Sequence, residues 1–367
     1  MIKNTLILGQ AAVALATCGL LTTGAQAQSA TSEPVGYNTV TCLPDSDTVL
    51  SAPLTAEKAH QGAISAAPTE NADQAVLTFS DTSFDTDAFA SLYYVTFTSG
   101  NKVGNYYQVL SNTDNSITVA LNGDTLLASG NAVQSGDSLV VAKFWTLDTL
   151  FPPADQVTVV ESSSTSARNR RTQILLPDSV SKGINLAPNR VMYLSGGAWL
   201  EATNSNVEAG STIIWPDSYF IVRHPSSVTE ATTYTISGGV DMNPSIKIPL
   251  FTNTDSKQDN FIAIPRPVGV KLKDLGLHET EAFVSSSSTS ARNRKDTILV
   301  YDNNNPGLNK APSKIYYYVS GSPGNWVDAG DGSVSDDVEL EASQGFIIRK
   351  AETVDGATVF WNNTPTY

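Results

Sequence analysis

A run of nine residues, Ser-Ser-Ser-Thr-Ser-Ala-Arg-Asn-Arg, occurs twice in this chain, at 162–170 and 286–294, an offset of 124 residues (286 minus 162). Nine identical residues in a chain of 367 mark an internal duplication, so whatever one copy folds into must also serve the other. The match continues downstream. Gln173-Ile174-Leu175-Leu176 corresponds to Thr297-Ile298-Leu299-Val300, residues 191–196 to 315–321 with one slip, Trp199 to Trp326, and Phe220-Ile221-Val222-Arg223 to Phe346-Ile347-Ile348-Arg349. Each copy therefore reads as strand, turn, strand, aromatic turn, strand. The runs are short, β-branched or aromatic, and bounded by Gly, Pro, Asn and Asp.

Upstream the correspondence is interrupted. Asp47-Thr48-Val49-Leu50-Ser51-Ala52-Pro53 resembles Asp259-Asn260-Phe261-Ile262-Ala263-Ile264-Pro265. In the second copy Val270-Lys271-Leu272-Lys273-Asp274-Leu275 follows almost at once. In the first, the similar Trp145-Thr146-Leu147-Asp148-Thr149-Leu150 comes about ninety residues later. The economical arrangement is a first β module at 34–53 plus 144–239, a small domain inserted at 54–143, and a second module at 240–367. An exposed loop between strands tolerates such an insertion. Within the insert, strands are expected at 75–79, 92–98, 105–110, 116–121 and 138–144, with turns at Ser99-Gly100-Asn101, Asn112-Thr113-Asp114-Asn115, Asn122-Gly123-Asp124 and Ser135-Gly136-Asp137. The fold class is all-β: two related sandwich- or barrel-like modules, the first interrupted by a five-stranded barrel-like domain of the SH3 or OB kind. The only helical stretches expected are one or two turns long, at 56–61, 146–151 and 270–275.

The N-terminus reads as an export signal, cleaved after Ala27. Lys3 precedes an uncharged apolar core at 6–21, and Ala25-Gln26-Ala27 supplies the small-x-small site. Export places the protein in the periplasm, on the outer surface or outside the cell. The mature chain would hold 340 residues (367 minus 27) and lose one lysine and no acid, so the formal charge moves from −14 to −15. That excess repels nucleic acid and anionic lipid. Cys18 leaves with the signal. Cys42 alone remains, so no intramolecular disulfide can form, and its place in an apolar-alternating stretch reads as a small buried residue. No later stretch has the ~18 apolar residues of a membrane-spanning helix, so no transmembrane anchor is expected in the mature chain.

The segments Glu33-Pro34-Val35-Gly36-Tyr37, residues 46–54, Tyr93-Tyr94-Val95, Thr98-Ser99-Gly100, Gly104-Asn105-Tyr106-Tyr107 and residues 144–152 resemble an uncharacterised family of exported bacterial proteins. The resemblance covers most of the mature chain. It implies export and a β fold, and brings no activity, cofactor or site with it.

Catalytic constellations are scarce. The three histidines are His60, His224 and His278. His278-Glu279-Thr280-Glu281-Ala282 opens like a zinc-protease helix but has Ala where the second histidine is needed, so no metal and no cofactor is expected there. Four groups remain as ligand-binding candidates, each with a structural alternative. Arg168 with Arg170, and Arg292 with Arg294, lie two apart. On an extended strand each pair faces one side and could grip an anion, or else bond acids of its own module, with Asp47 and Asp259 the symmetric partners. Trp199 and Trp326 lie on aromatic turns with Tyr193 and Tyr317 nearby. They offer stacking faces for a saccharide, unless they are core; Trp215 and Trp361 extend the same aromatic set. Asp328, Asp331 and Asp336 form an acidic glycine-containing loop that could donate oxygens to calcium, or simply be a solvated turn. The expectation is a non-catalytic exported protein that binds an envelope component such as a polysaccharide, or a structural subunit that forms a homo-oligomer. The rival is a polysaccharide hydrolase with a carboxylate pair in a groove between modules.

Overall fold

The computed structural model of the chain describes residues 34–155 and 157–365. The expected signal segment, residues 1–27, lies outside the described residues. Those described form β-strands joined by turns, with one four-residue α-helix, Leu147–Leu150, and short 3-10 turns. The chain is all-β. No helix among the described residues is long and apolar enough to cross a membrane.

The two copies build the same five-stranded antiparallel sheet. In the first the strand order is Ala198–Glu201, Arg190–Ser195, Gln173–Leu176, Phe220–His224, Ser46–Leu50. In the second it is Asn325–Asp328, Lys314–Val319, Thr297–Val300, Gly345–Lys350, Gln258–Ala263. Every residue of Ser46–Leu50 and of Gln258–Ala263 is buried. A strand covered on one face buries only alternate residues, so both faces of these sheets are covered. One face closes each module's own core, around Leu50, Phe151, Trp199 and Tyr234 in the first and Ile262, Leu275, Trp326 and Trp361 in the second. A two-stranded ribbon contributes to each core, Val35–Cys42 with Thr232–Gly239 in one and Ile246–Leu250 with Val359–Asn363 in the other. The opposite faces meet through Val49, Tyr219 and Ile221 against Phe261, Leu299 and Ile347.

The meeting is reciprocal. Asp47 stands opposite Arg223 in its sheet, and Asp259 opposite Arg349. Each guanidinium forks onto its carboxylate, at 2.7 and 2.7 Å in the first module and 2.7 and 3.0 Å in the second. A loop of the other module then completes each pair. Asn309 Oδ1 accepts from Arg223 at 2.6 Å while its backbone N–H donates to Asp47 at 2.7 Å. Asn185 does the same for Arg349 at 2.8 Å and Asp259 at 2.8 Å. The loops adopt matching left-handed turns, with Gly183 and Gly307 at φ 130° and 149° and Asn185 and Asn309 at φ 55° and 51°. Glycine and asparagine are the residues that accept this backbone. The two modules thus exchange equivalent contacts, as the halves of a symmetric dimer would.

Residues 58–143 form a third body with its own core, around Leu77, Val95, Phe97, Val119 and Val141. It has seven strands rather than the five expected, ordered Lys58–Ala63, Ser138–Lys143, Tyr93–Phe97, Tyr106–Asn112, Ser116–Ala120, Gln74–Thr78, Thr69–Asn71. Ser65 N–H bonds the Thr78 carbonyl at 2.7 Å, which ties the first strand's end to the far side of the sheet. The stretch 56–61, expected as a helix turn, is irregular at 56–57 and then enters the strand Lys58–Ala63. Ala-Glu-Lys-Ala-His-Gln has good helix formers, but pairing with Ser138–Lys143 overrides them and leaves the alternating burial of a half-covered strand. The other two short helical stretches appear as Leu147–Leu150 and the 3-10 turn Leu272–Leu275.

Candidate functional site

The repeated run forms the same loop twice. Residues 167–169 and 291–293 are 3-10 turns, not extended strand, so the members of each arginine pair diverge. Arg168 and Arg292 are exposed. Arg170 and Arg294 fold inward, donating to the Ala202 and Ala329 carbonyls at 3.0 and 2.9 Å. Each lies over a tyrosine ring, Arg170 at 4.5 Å from Tyr193 and Arg294 at 4.8 Å from Tyr317. Other members of the run bond locally. Ser162 and Ser286 Oγ accept from the backbone N–H of Arg171 and Lys295, both at 3.0 Å, and Asn169 and Asn293 donate to Ser164 and Ser288, both at 2.8 Å. The run closes a loop on itself. Asp47 and Asp259, the partners expected for these pairs, are taken by Arg223 and Arg349.

The aromatic turns are core. Trp199 and Trp326 are 1% and 0% exposed, and Tyr193 and Tyr317 are fully buried, so none of them offers a stacking face. The apolar ring area of each tryptophan closes its module, and Trp199 donates to the Phe151 carbonyl at 3.1 Å. The acidic loop does not converge on a cation position. Asp328 accepts from Gly330 N–H and Lys314 Nζ, Asp331 from Ser333 N–H, and Asp336 from Trp326 N–H. No group of three or more His, Cys, Asp or Glu among the described residues is placed to hold a metal ion.

The structure instead brings together residues from three distant stretches. A cleft of about 490 Å³ opens where the inserted domain meets both modules, within the ~300–1,000 Å³ common for small-ligand sites. The insert contributes Asn105, Tyr106, Tyr107 and Asp124, the first module Trp215 and Asp217, and the second Lys247, Phe251 and Phe360. Alternation explains the second module's share. Along Ile246–Leu250 the residues Ile246, Ile248 and Leu250 enter the core. Lys247, Pro249 and the next residue, Phe251, fall on the opposite face. Gly104 allows the approach. Its φ is +84°, and a Cβ there would stand 2.5 Å from the Ser245 carbonyl oxygen, while its own carbonyl accepts from Lys247 N–H at 3.0 Å.

Three rings in this cleft are exposed: Trp215 at 38%, Phe251 at 45% and Phe360 at 43%. Trp215 is braced edge-on by Phe144 with centroids 5.1 Å apart. Asn260 fixes the backbone of Phe251 from both sides, accepting from its N–H at 2.6 Å and donating to its carbonyl at 3.0 Å. Two carboxyls in the cleft are driven apart. Burial pushes Asp217 above its ordinary range, against the pull of the Tyr106 hydroxyl that donates to it at 2.9 Å. At Asp124 burial acts the same way but loses to Lys102, which reaches both oxygens at 2.7 Å, and to Tyr107 at 2.6 Å, so the carboxylate is held low.

Of the cleft's aromatics, Trp215 belongs to the set read from the sequence. Phe251, Phe360, Lys247 and Asn105 do not. The available signal was an aromatic and a lysine on the outward positions of a strand whose inward positions are Ile, Ile and Leu. Compared with family models, curated proteins and solved structures, the chain matches none.

Proposed function

We propose that this protein is an exported, non-catalytic β protein that binds a saccharide of the cell envelope or its surroundings in the cleft between the insert and the two modules. The observation that carries this reading is the trio of exposed rings, Trp215, Phe251 and Phe360, around a cleft whose lining also holds the amide of Asn105, the hydroxyls of Tyr106 and Tyr107 and the carboxyls of Asp124 and Asp217. Flat rings pack against the C–H faces of sugars, and surrounding polar groups take their hydroxyls. The signal-like N-terminal sequence, with Lys3 before an uncharged apolar run and Ala25-Gln26-Ala27 after it, supports the exported setting. Co-sedimentation of the mature protein with insoluble polysaccharides and isolated envelopes tests it. Retention should fall at least about tenfold in Trp215→Ala with Phe251→Ala, while Trp199→Phe leaves it unchanged. Equal retention by the folded double variant, or none by the unaltered protein, overturns the reading.

The opposed carboxyls favour one second reading, a polysaccharide hydrolase in which Asp217 donates a proton as general acid. Under it, reducing ends appear on incubation with the retained polysaccharide and vanish with Asp217→Asn. Retention without release excludes it.

A further inference from the structure

The charges lining the cleft are unevenly satisfied. Asp124 is held by Lys102, Asp259 by Arg349, and Asp217 takes the Tyr106 hydroxyl while burial drives it toward the neutral acid. Lys247 differs. Its backbone is fixed to Gly104, but among the described residues its ammonium has no hydrogen-bond or ion-pair partner. Burial and the neighbouring Lys102 charge weaken its hold on its proton, and Asp124 only partly restores it. A second unsatisfied group lines the same cleft. Asn105 is 7% exposed, and its amide oxygen accepts no hydrogen bond. Buried acceptors are nearly always paired, and a half-buried ammonium gains most from an anion held at contact.

Resting on the saccharide reading above, we infer that the cleft selects a sugar acid, with Lys247 Nζ pairing with a carboxylate of the bound saccharide and Asn105 Oδ1 accepting from one of its hydroxyls. The chain's formal charge of −14 opposes a dense polyanion at long range. Recognition is therefore local, one carboxylate against one lysine, and suits a saccharide whose acid residues are few within the length the cleft holds.

Titration calorimetry of the mature protein with a trisaccharide carrying a single glucuronic acid, and with the same trimer after carboxyl reduction, separates the two layers. The acid trimer should bind about tenfold more tightly. Lys247→Met should abolish the difference, Lys247→Arg should retain it, and Trp215→Ala should weaken both. The arginine variant guards against misfolding as the cause of the methionine result. If both trimers bind equally through Trp215, the sugar-acid inference fails and the saccharide reading stands. If neither binds to folded protein, both fall.

Discussion

At the residue scale, the two modules solve one buried position in two ways. In the first, His224 is fully buried between Thr172, 3.0 Å from Nδ1, and Thr232, 2.8 Å from Nε2. Thr232 gives its own proton to the Thr158 carbonyl, so Nε2 carries the hydrogen and Nδ1 accepts from Thr172. That network suits a neutral ring. In the second module Asp296 stands where Thr172 does and Lys350 where His224 does. Lys350 Nζ bonds Asp296 and the Ala282 carbonyl, the counterpart of Thr158. Burial pushes His224 down from 6.5 to about 4. Between those values the unfolded chain binds the extra proton and the folded chain does not. Stability from this site is complete above pH 6.5 and falls as pH drops toward 4, by about 3 kcal/mol in all. His224→Gln should flatten that slope, whatever it does to stability at neutral pH. Denaturant midpoints at pH 7 and 4.5 for both proteins check this, and equal slopes would deny it.

At the scale of elements, the repeated run shows what identity between copies reports. The duplication and its strand order are legible because hydrophobic runs and their punctuation survive from copy to copy. The role of the run is not. Its serines and asparagine are held alike because each bonds its own loop, and its second arginine because it reaches the Ala202 or Ala329 carbonyl; a strand reading of Arg168 and Arg170 cannot reveal the 3-10 turn that separates them. Arg170→Ala and Arg294→Ala should each cost about 1–2 kcal/mol, through the lost carbonyl bond and the lost cover of a tyrosine ring. Arg168→Ala and Arg292→Ala should cost less than about 0.5 kcal/mol. Chemical denaturation of the four variants checks the contrast, and equal losses at all four positions would contradict the assignment. The cleft was illegible for a different reason. Its walls come from residues near 105, 215, 250 and 360, and only the docking of three bodies makes them neighbours.

At the scale of the whole molecule, the reciprocal Asp–Arg–Asn contacts make each module a component of the other's fold. Arg223 and Arg349 neutralise aspartates that are almost wholly buried. Arg223→Ala and Arg349→Ala should therefore each cost about 3 kcal/mol, and adding Asp47→Ala or Asp259→Ala to the matching variant should recover part of the loss. Thermal or denaturant unfolding followed by tryptophan fluorescence measures this. An unchanged midpoint in either single variant would show that the interface does not depend on its ion pairs. The inserted domain falls outside this symmetry. Only the first copy carries it, so the cleft that it lines with the two modules is formed once among the described residues. Under the saccharide reading, duplication doubles the scaffold and leaves the valence at one. A saccharide titration should saturate at one site per chain, and any multivalent grip on a surface must come from several chains acting together, not from the two modules of one.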